Sequence, residues 1–223
     1  MKASDESLAT DLAGTLPALT RLALAYAPPG FRPPLTLIFA LDARMAGIVR
    51  GSREAMLAQL RLAWWRERLT AGAGGGPASD PLLALLASWP GETAPLAGLA
   101  DGWEPMTGAA PLPESAFAQL ADARAGAFAA LAGDQASARS ARRMARNWAL
   151  ADLATHLGDP REREAALVLA RSQDWRVERL PRGLRPLAVL HGLAARTIRM
   201  ESPALNPGPG ALLCAMRIGL FGR

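Results

Sequence analysis

The stretch AMLAQLRLAWWRERL, residues 55–69, sets Arg61, Arg66 and Arg68 around the pair Trp64-Trp65. A guanidinium is permanently charged and offers its N–H donors in a planar fork that matches carboxylates and phosphates. Arginines on one helix can therefore hold a diphosphate, or answer carboxylates on neighbouring helices. At about 100° per residue, Arg53, Leu57, Leu60, Arg61, Trp64 and Arg68 share one side, with Ala55, Leu62 and Leu69 roughly opposite. Neither side is purely polar, so the expectation is a helix packed on both sides. Trp64 and Trp65 then serve as large packing residues, and Arg53, Arg61 and Arg68 reach either acids or a bound anion.

A second group sits later in the chain. In NWALADLATHLGDPRERE, Asp152 and His156 stand four residues apart and share a helix face, and Asp159 follows the glycine that stops the helix. They could hold a metal weakly. A structural reading also accounts for them, because Asp before Pro favours a turn and a histidine near a helix C-terminus favours the dipole. His191 and Cys214 have no spacing that suggests a catalytic dyad. AGAGGGP, residues 71–77, lacks the Lys-Ser/Thr end of a phosphate loop and reads as a flexible connection. Arg139, Arg142, Arg143 and Arg146 form a charged run that suits an acidic partner or a solvated face.

The elements that must position these residues are helices. Half of the 223 residues are hydrophobic and only 5% are aromatic, a balance carried by Ala and Leu rather than by strand-forming types. The chain is long enough for one sizeable core, so a single all-α domain over residues 1–223 is expected, with a Gly-rich connection near 71–79. Helices are predicted over 4–16, a short stretch to 27, 35–49, a segment capped by Ser52, 114–131, 137–157, 161–172, 187–200 and 210–221. Two weaker ones fall within 80–112. The prolines from Pro28 to Pro34 read as a firm break. The formal net charge of +5 allows anionic partners, whereas no zinc-finger spacing, RNP-type run or dense basic tract points to nucleic acid. The lone Cys214 leaves no internal disulfide and fits a reducing, cytoplasmic setting. No signal peptide or membrane-spanning run is read from the sequence, which leaves a peripheral membrane position open.

LALAYAPPGFRPPLTLIFALDARM, the double-Trp helix, LPRGLRPLAVLHGLAAR and ALLCAMRIGLFGR together resemble the squalene/phytoene synthase family, from about Leu22 to Arg223. The double-Trp element points to the divergent branch that includes mitochondrial complex I assembly factors and their bacterial relatives. The resemblance implies a multi-helix bundle of the isoprenoid (terpenoid) synthase type around a deep apolar cavity. Active members of that family are prenyl diphosphate transferases with two aspartate-rich motifs on facing helices, where Mg²⁺ bridges carboxylates to diphosphate. Here the first motif region has only Asp42, and the family's aspartate positions align near Ala46, Gly47 and Arg50. The second region offers Asp152, His156 and Asp159.

The expectation is a catalytically degenerate member that acts as a prenyl- or lipid-binding or assembly-type factor, with no cofactor. If the chain is active, the resemblance implies Mg²⁺ on Asp42, Asp152 and Asp159, and substrate held by Arg53, Arg61, Arg68 and Trp64. The expected partners are an isoprenoid diphosphate, a lipid or another protein. A third reading is a plain helical interaction module without a cavity.

Overall fold

Proline sets the first boundaries of the fold. A computed structural model describes residues 2–72, 80–200 and 209–221. In it, α1 (Lys2–Gly14) ends before Pro17, which stands at the N-cap of α2 (Ala18–Leu24). The Pro28–Pro34 run is not the break that the sequence suggests. A single 3₁₀ turn over Pro29–Phe31 leads into α3 (Arg32–Gly51), whose first turn contains Pro33 and Pro34. A first-turn proline lacks only an N–H that would have no intrahelical acceptor, so two prolines start this helix instead of ending it. Leu35, Leu37, Ile38, Leu41 and Met45 of α3 are all essentially inaccessible to solvent, which makes α3 a central element as expected.

Ser52 has a different role from the one its type suggests. Its hydroxyl donates to the Ile48 carbonyl at 2.8 Å, closing α3, and α4 (Ala55–Ala71) begins after Glu54 with no side-chain cap. Gly72 ends α4 at φ +74, a conformation that suits glycine. Residues 73–79, most of the expected Gly-rich connection, lie outside the described residues. Asp80 caps α5 (Pro81–Leu85) by accepting from the Leu82 N–H, and α6 (Ala94–Trp103) and α7 (Glu114–Ala129) follow. Asp134 caps α8 (Gln135–His156) through the Ser137 N–H and hydroxyl, so this helix starts two residues earlier than the sequence suggests. Asp159 caps α9 (Pro160–Arg171), and α10 (Arg185–Arg199) and α11 (Pro209–Phe221) follow.

Among the described residues the fold is all-helical, with eleven α-helices, short 3₁₀ turns and no strand. The most extensive pairing is α7 with α8. α7 also packs on α6, which carries α4, while α8 packs on α9 and α10, and α10 carries α11. Phe39, Phe128 and Trp148, from α3, α7 and α8, meet edge to face with ring centroids 5.4–6.0 Å apart and join these three helices in one core. No helix among the described residues is long and apolar enough to cross a membrane.

The α6–α7 crossing depends on Gly102. A Cβ there would run into the Ala123 methyl and lie 3.3 Å from the Leu120 Cα, and neither atom can swing away. Gly102→Ala should therefore lower stability by about 1–3 kcal/mol, the usual cost of overpacking, even though alanine is the better helix former. Urea denaturation of the variant checks this; unchanged or increased stability would show that the crossing has slack.

Candidate functional site

Three inward-facing helix stripes each carry one charged residue. On α3, Asp42 follows Leu35, Ile38 and Phe39 along the buried side; on α8, Asp152 continues the stripe of Met144, Ala145 and Trp148. On α7, Arg124 lies among Phe117, Leu120, Ala121 and Phe128, and it is 5% exposed. Packing these stripes against one another forces the three charges together. A buried charge is tolerated only when it is paired and hydrogen-bonded.

The pairing is complete on the arginine side. The Arg124 Nε donates to Asp42 Oδ1 at 2.9 Å and a terminal nitrogen lies 2.8 Å from Asp42 Oδ2, a fork that grips the carboxylate at both oxygens. The other terminal nitrogen reaches Asp152 Oδ2 at 3.1 Å. Asp42 Oδ1 accepts a further bond from the Trp103 indole N–H at 2.8 Å. The guanidinium carbon lies 5.4 Å from the Trp103 ring and 5.7 Å from the Trp148 ring, so two aromatic faces flank the cation. Burial works against the charge, but the two carboxylates outweigh it, and the Arg124 pKa is raised above its ordinary value.

This cluster lines a cavity of about 300 Å³ together with Phe39, Trp103, Trp148 and Arg50. His156 is also at this cavity, with its Nδ1 3.6 Å from Asp152 Oδ1 and 2.8 Å from the Asp152 carbonyl oxygen, and the ring is mostly exposed. Chemically the arrangement is a cation held between carboxylates from facing helices, with aromatic walls beside it. Thr20 and His156 also line the cavity, the latter beside Asp152.

The structure brings Asp42 and Asp152 together, but through Arg124. Asp159 is placed elsewhere: its Oδ1 accepts from the Arg161 and Glu162 backbone N–H groups, at 2.7 and 3.2 Å, as the cap of α9. Neither Arg53, Arg61, Arg68 nor Trp64 lines the cavity of Asp42 and Asp152. Arg53 is exposed just before α4, and Arg61 is exposed at a groove shared with α1, α3 and α5. Arg68 lies over the Trp64 ring at 5.5 Å, and Arg66 pairs with Asp101 and Glu104 of the α6 region.

α4 also corrects the expectation of packing on both sides. Ala58, Leu62, Trp65 and Leu69 form its buried stripe, whereas Met56, Leu57, Leu60 and Trp64 on the other side are 62, 43, 60 and 38% exposed. The two tryptophans divide the roles, Trp65 in the core and Trp64 edge to face against it at the surface. The Arg139–Arg146 run is partly structural. Arg143 donates to the Asp174 and Arg176 carbonyls and pairs with Glu178, and Arg146 pairs with Asp122, so the segment after α9 is tied across α8.

Arg124 itself is the residue that sequence reasoning misses. The signal for it is an arginine at a core position of an otherwise Ala/Phe stripe, which requires an acid on the inward side of another helix. Asp42, half-buried on α3, occupies such a position. Among the described residues, no three His, Cys, Asp or Glu side chains gather where a single ion could touch them. Comparison of the chain with protein-family models, curated proteins and solved structures finds no match.

Proposed function

We propose that this chain is a catalytically degenerate squalene/phytoene synthase-like protein of the isoprenoid synthase type, acting as a binding or assembly factor with an internal cation in its polar centre. The observation that carries the reading is the Arg124 guanidinium spanning Asp42 and Asp152 from facing helices. In active members of the family the sequence resembles, a divalent ion bridges acids on facing helices to a diphosphate. Here the guanidinium occupies the interval between the two carboxylates and satisfies both. The residues present do not fit Mg²⁺: both acids are engaged, and the neighbouring positions Ala46, Gly47 and Arg50 supply no oxygen ligand.

Cavity size supports the same reading. About 300 Å³ is at the small end of ligand sites, room for one modest ligand and not for two prenyl chains side by side. The competing reading, a working prenyltransferase, draws on the fact that Asp42 and Asp152 do line one cavity. It requires Arg124 to leave both carboxylates before an ion can enter.

Calorimetric titration with farnesyl diphosphate, with and without Mg²⁺, followed by a product assay on the same sample, separates the two. The expected result is no diphosphate release and no effect of Mg²⁺ on any binding heat. Mg²⁺-dependent binding with turnover would overturn the proposal.

A further inference from the structure

α11 docks on α10 through Ala211, Ala215 and Ile218, which are buried. Its opposite side is not the polar face of an ordinary surface helix. Leu213, Met216 and Leu220 point outward there, 68, 50 and 55% exposed, and Arg217 is the only charged residue in the helix. Beside this stripe, between α10 and α11, runs a groove of about 460 Å³. Val177, Met200, Leu213 and Ile218 contribute apolar wall, and among the described residues its charge comes from Arg196, Arg199 and Arg217, with no acid in the lining. Each of the three arginines is exposed, and none forms an ion pair or side-chain hydrogen bond among the described residues.

Several arginines elsewhere in the described structure are matched to acids: Arg66 to Asp101, Arg124 to Asp42 and Asp152, Arg143 to Glu178, Arg146 to Asp122. What distinguishes the α10–α11 face is that three unmatched guanidiniums lie together beside an apolar ridge. A second copy of the chain is a poor occupant, because a two-fold contact would set the same guanidiniums against one another. A free phosphate could use the arginines but not the outward Leu213, Met216 and Leu220. A surface that uses both is the boundary of an anionic bilayer, where phosphates lie beside acyl chains.

We propose that the α10–α11 face docks on an anionic phospholipid surface, with Arg196, Arg199 and Arg217 at headgroup phosphates and Leu213, Met216 and Leu220 entering the acyl boundary. This surface shares no lining residue with the Arg124 cavity, so the inference stands or falls independently of the function proposed above.

Vesicle sedimentation tests it, using phosphatidylcholine alone and an equimolar mixture with phosphatidylglycerol. The protein should partition onto the mixed vesicles, hardly bind the neutral ones, and come off at about 1 M salt, where charge is screened beyond about 3 Å. Each surface arginine is worth about fivefold in partitioning, so Arg196→Gln/Arg199→Gln/Arg217→Gln should weaken binding on the order of a hundredfold. Leu213→Ser/Met216→Ser/Leu220→Ser, which changes only exposed positions, should also release the protein. Circular dichroism confirms that both variants fold. Equal binding to neutral vesicles, no binding at all, or a triple-arginine variant that binds like the parent would overturn the proposal. So would displacement by millimolar glycerol phosphate, which would assign the groove to a free phosphate, or a dimer abolished by either triple variant, which would assign the face to a second copy.

Discussion

Replacing Arg124 with Met should lower the free energy of unfolding by about 3–5 kcal/mol, the range expected when one partner of a buried ion pair is removed. Against a total stability of about 5–15 kcal/mol that is a large fraction. Methionine nearly matches the arginine stem in length, so the loss would come less from a cavity than from what remains. Asp42 and Asp152 would be left facing each other with no cation between them, and Asp42 would keep only the Trp103 indole as a side-chain donor. Arg124→Lys should fall between the two, since an ammonium keeps the charge but cannot grip one carboxylate as a fork while reaching the other. The discriminating variant is Arg124→Met/Asp42→Asn/Asp152→Asn, which removes all three charges. It should recover much of the loss, because replacing a whole buried charge cluster costs far less than breaking it. Urea denaturation of the set provides the measurement. A loss below about 1 kcal/mol for Arg124→Met would mean that water already reaches the cluster and screens it.

That cluster marks the limit of what the sequence can disclose. Each charge sits where helical periodicity puts a core residue, and this is visible in the sequence. What pairs with what is not, because Arg124 lies 82 residues from Asp42 and 28 from Asp152, with nothing local linking them. Helix existence was easier to read. The apolar periods of α7, α8, α9 and α10 predict their spans to within a few residues, because cap residues and prolines punctuate them at short range. Residues whose type permits two local roles are ambiguous in sequence. Pro33 and Pro34 can end a helix or open one, and Ser52 can cap the helix after it or close the helix before it.

α4 is ambiguous for a different reason. Its apolar residues occupy two opposite stripes, so periodicity establishes that it is a helix without saying which side is buried. Trp65 and Leu62 went to the core, Trp64 and Leu60 to the surface, and only the neighbours α3 and α6 decide between them. The α4 arginines accordingly lie at the edges of its buried stripe, with Arg61 exposed and Arg66 and Arg68 half-buried, whereas the buried guanidinium belongs to α7.

His191 leads to the second large effect, and its sign follows from burial. The ring is fully buried in α10, stacked on Trp175 at 5.2 Å, and neither ring nitrogen meets a hydrogen-bond partner among the described residues. Desolvation, with the nearby positive charges of Arg143 and Arg199, pushes its pKa down to about 4, and Asp174 and Glu178 offset this only in part. In the unfolded chain a histidine titrates near 6.5. Between these values the unfolded chain takes up a proton that the folded protein refuses, so stability is complete above about pH 6.5 and falls as the pH drops toward about 4. The interval corresponds to about 3 kcal/mol. Carboxylates titrate over part of the same window, so the parent curve alone does not isolate the histidine. His191→Leu does, since it removes the titrating group and two unsatisfied nitrogens while keeping an apolar side chain under Trp175. The parent should lose about 3 kcal/mol more than His191→Leu between pH 6.5 and pH 4 in matched urea denaturations. Parallel curves would mean that the folded-state pKa of His191 is not depressed, and would overturn the prediction.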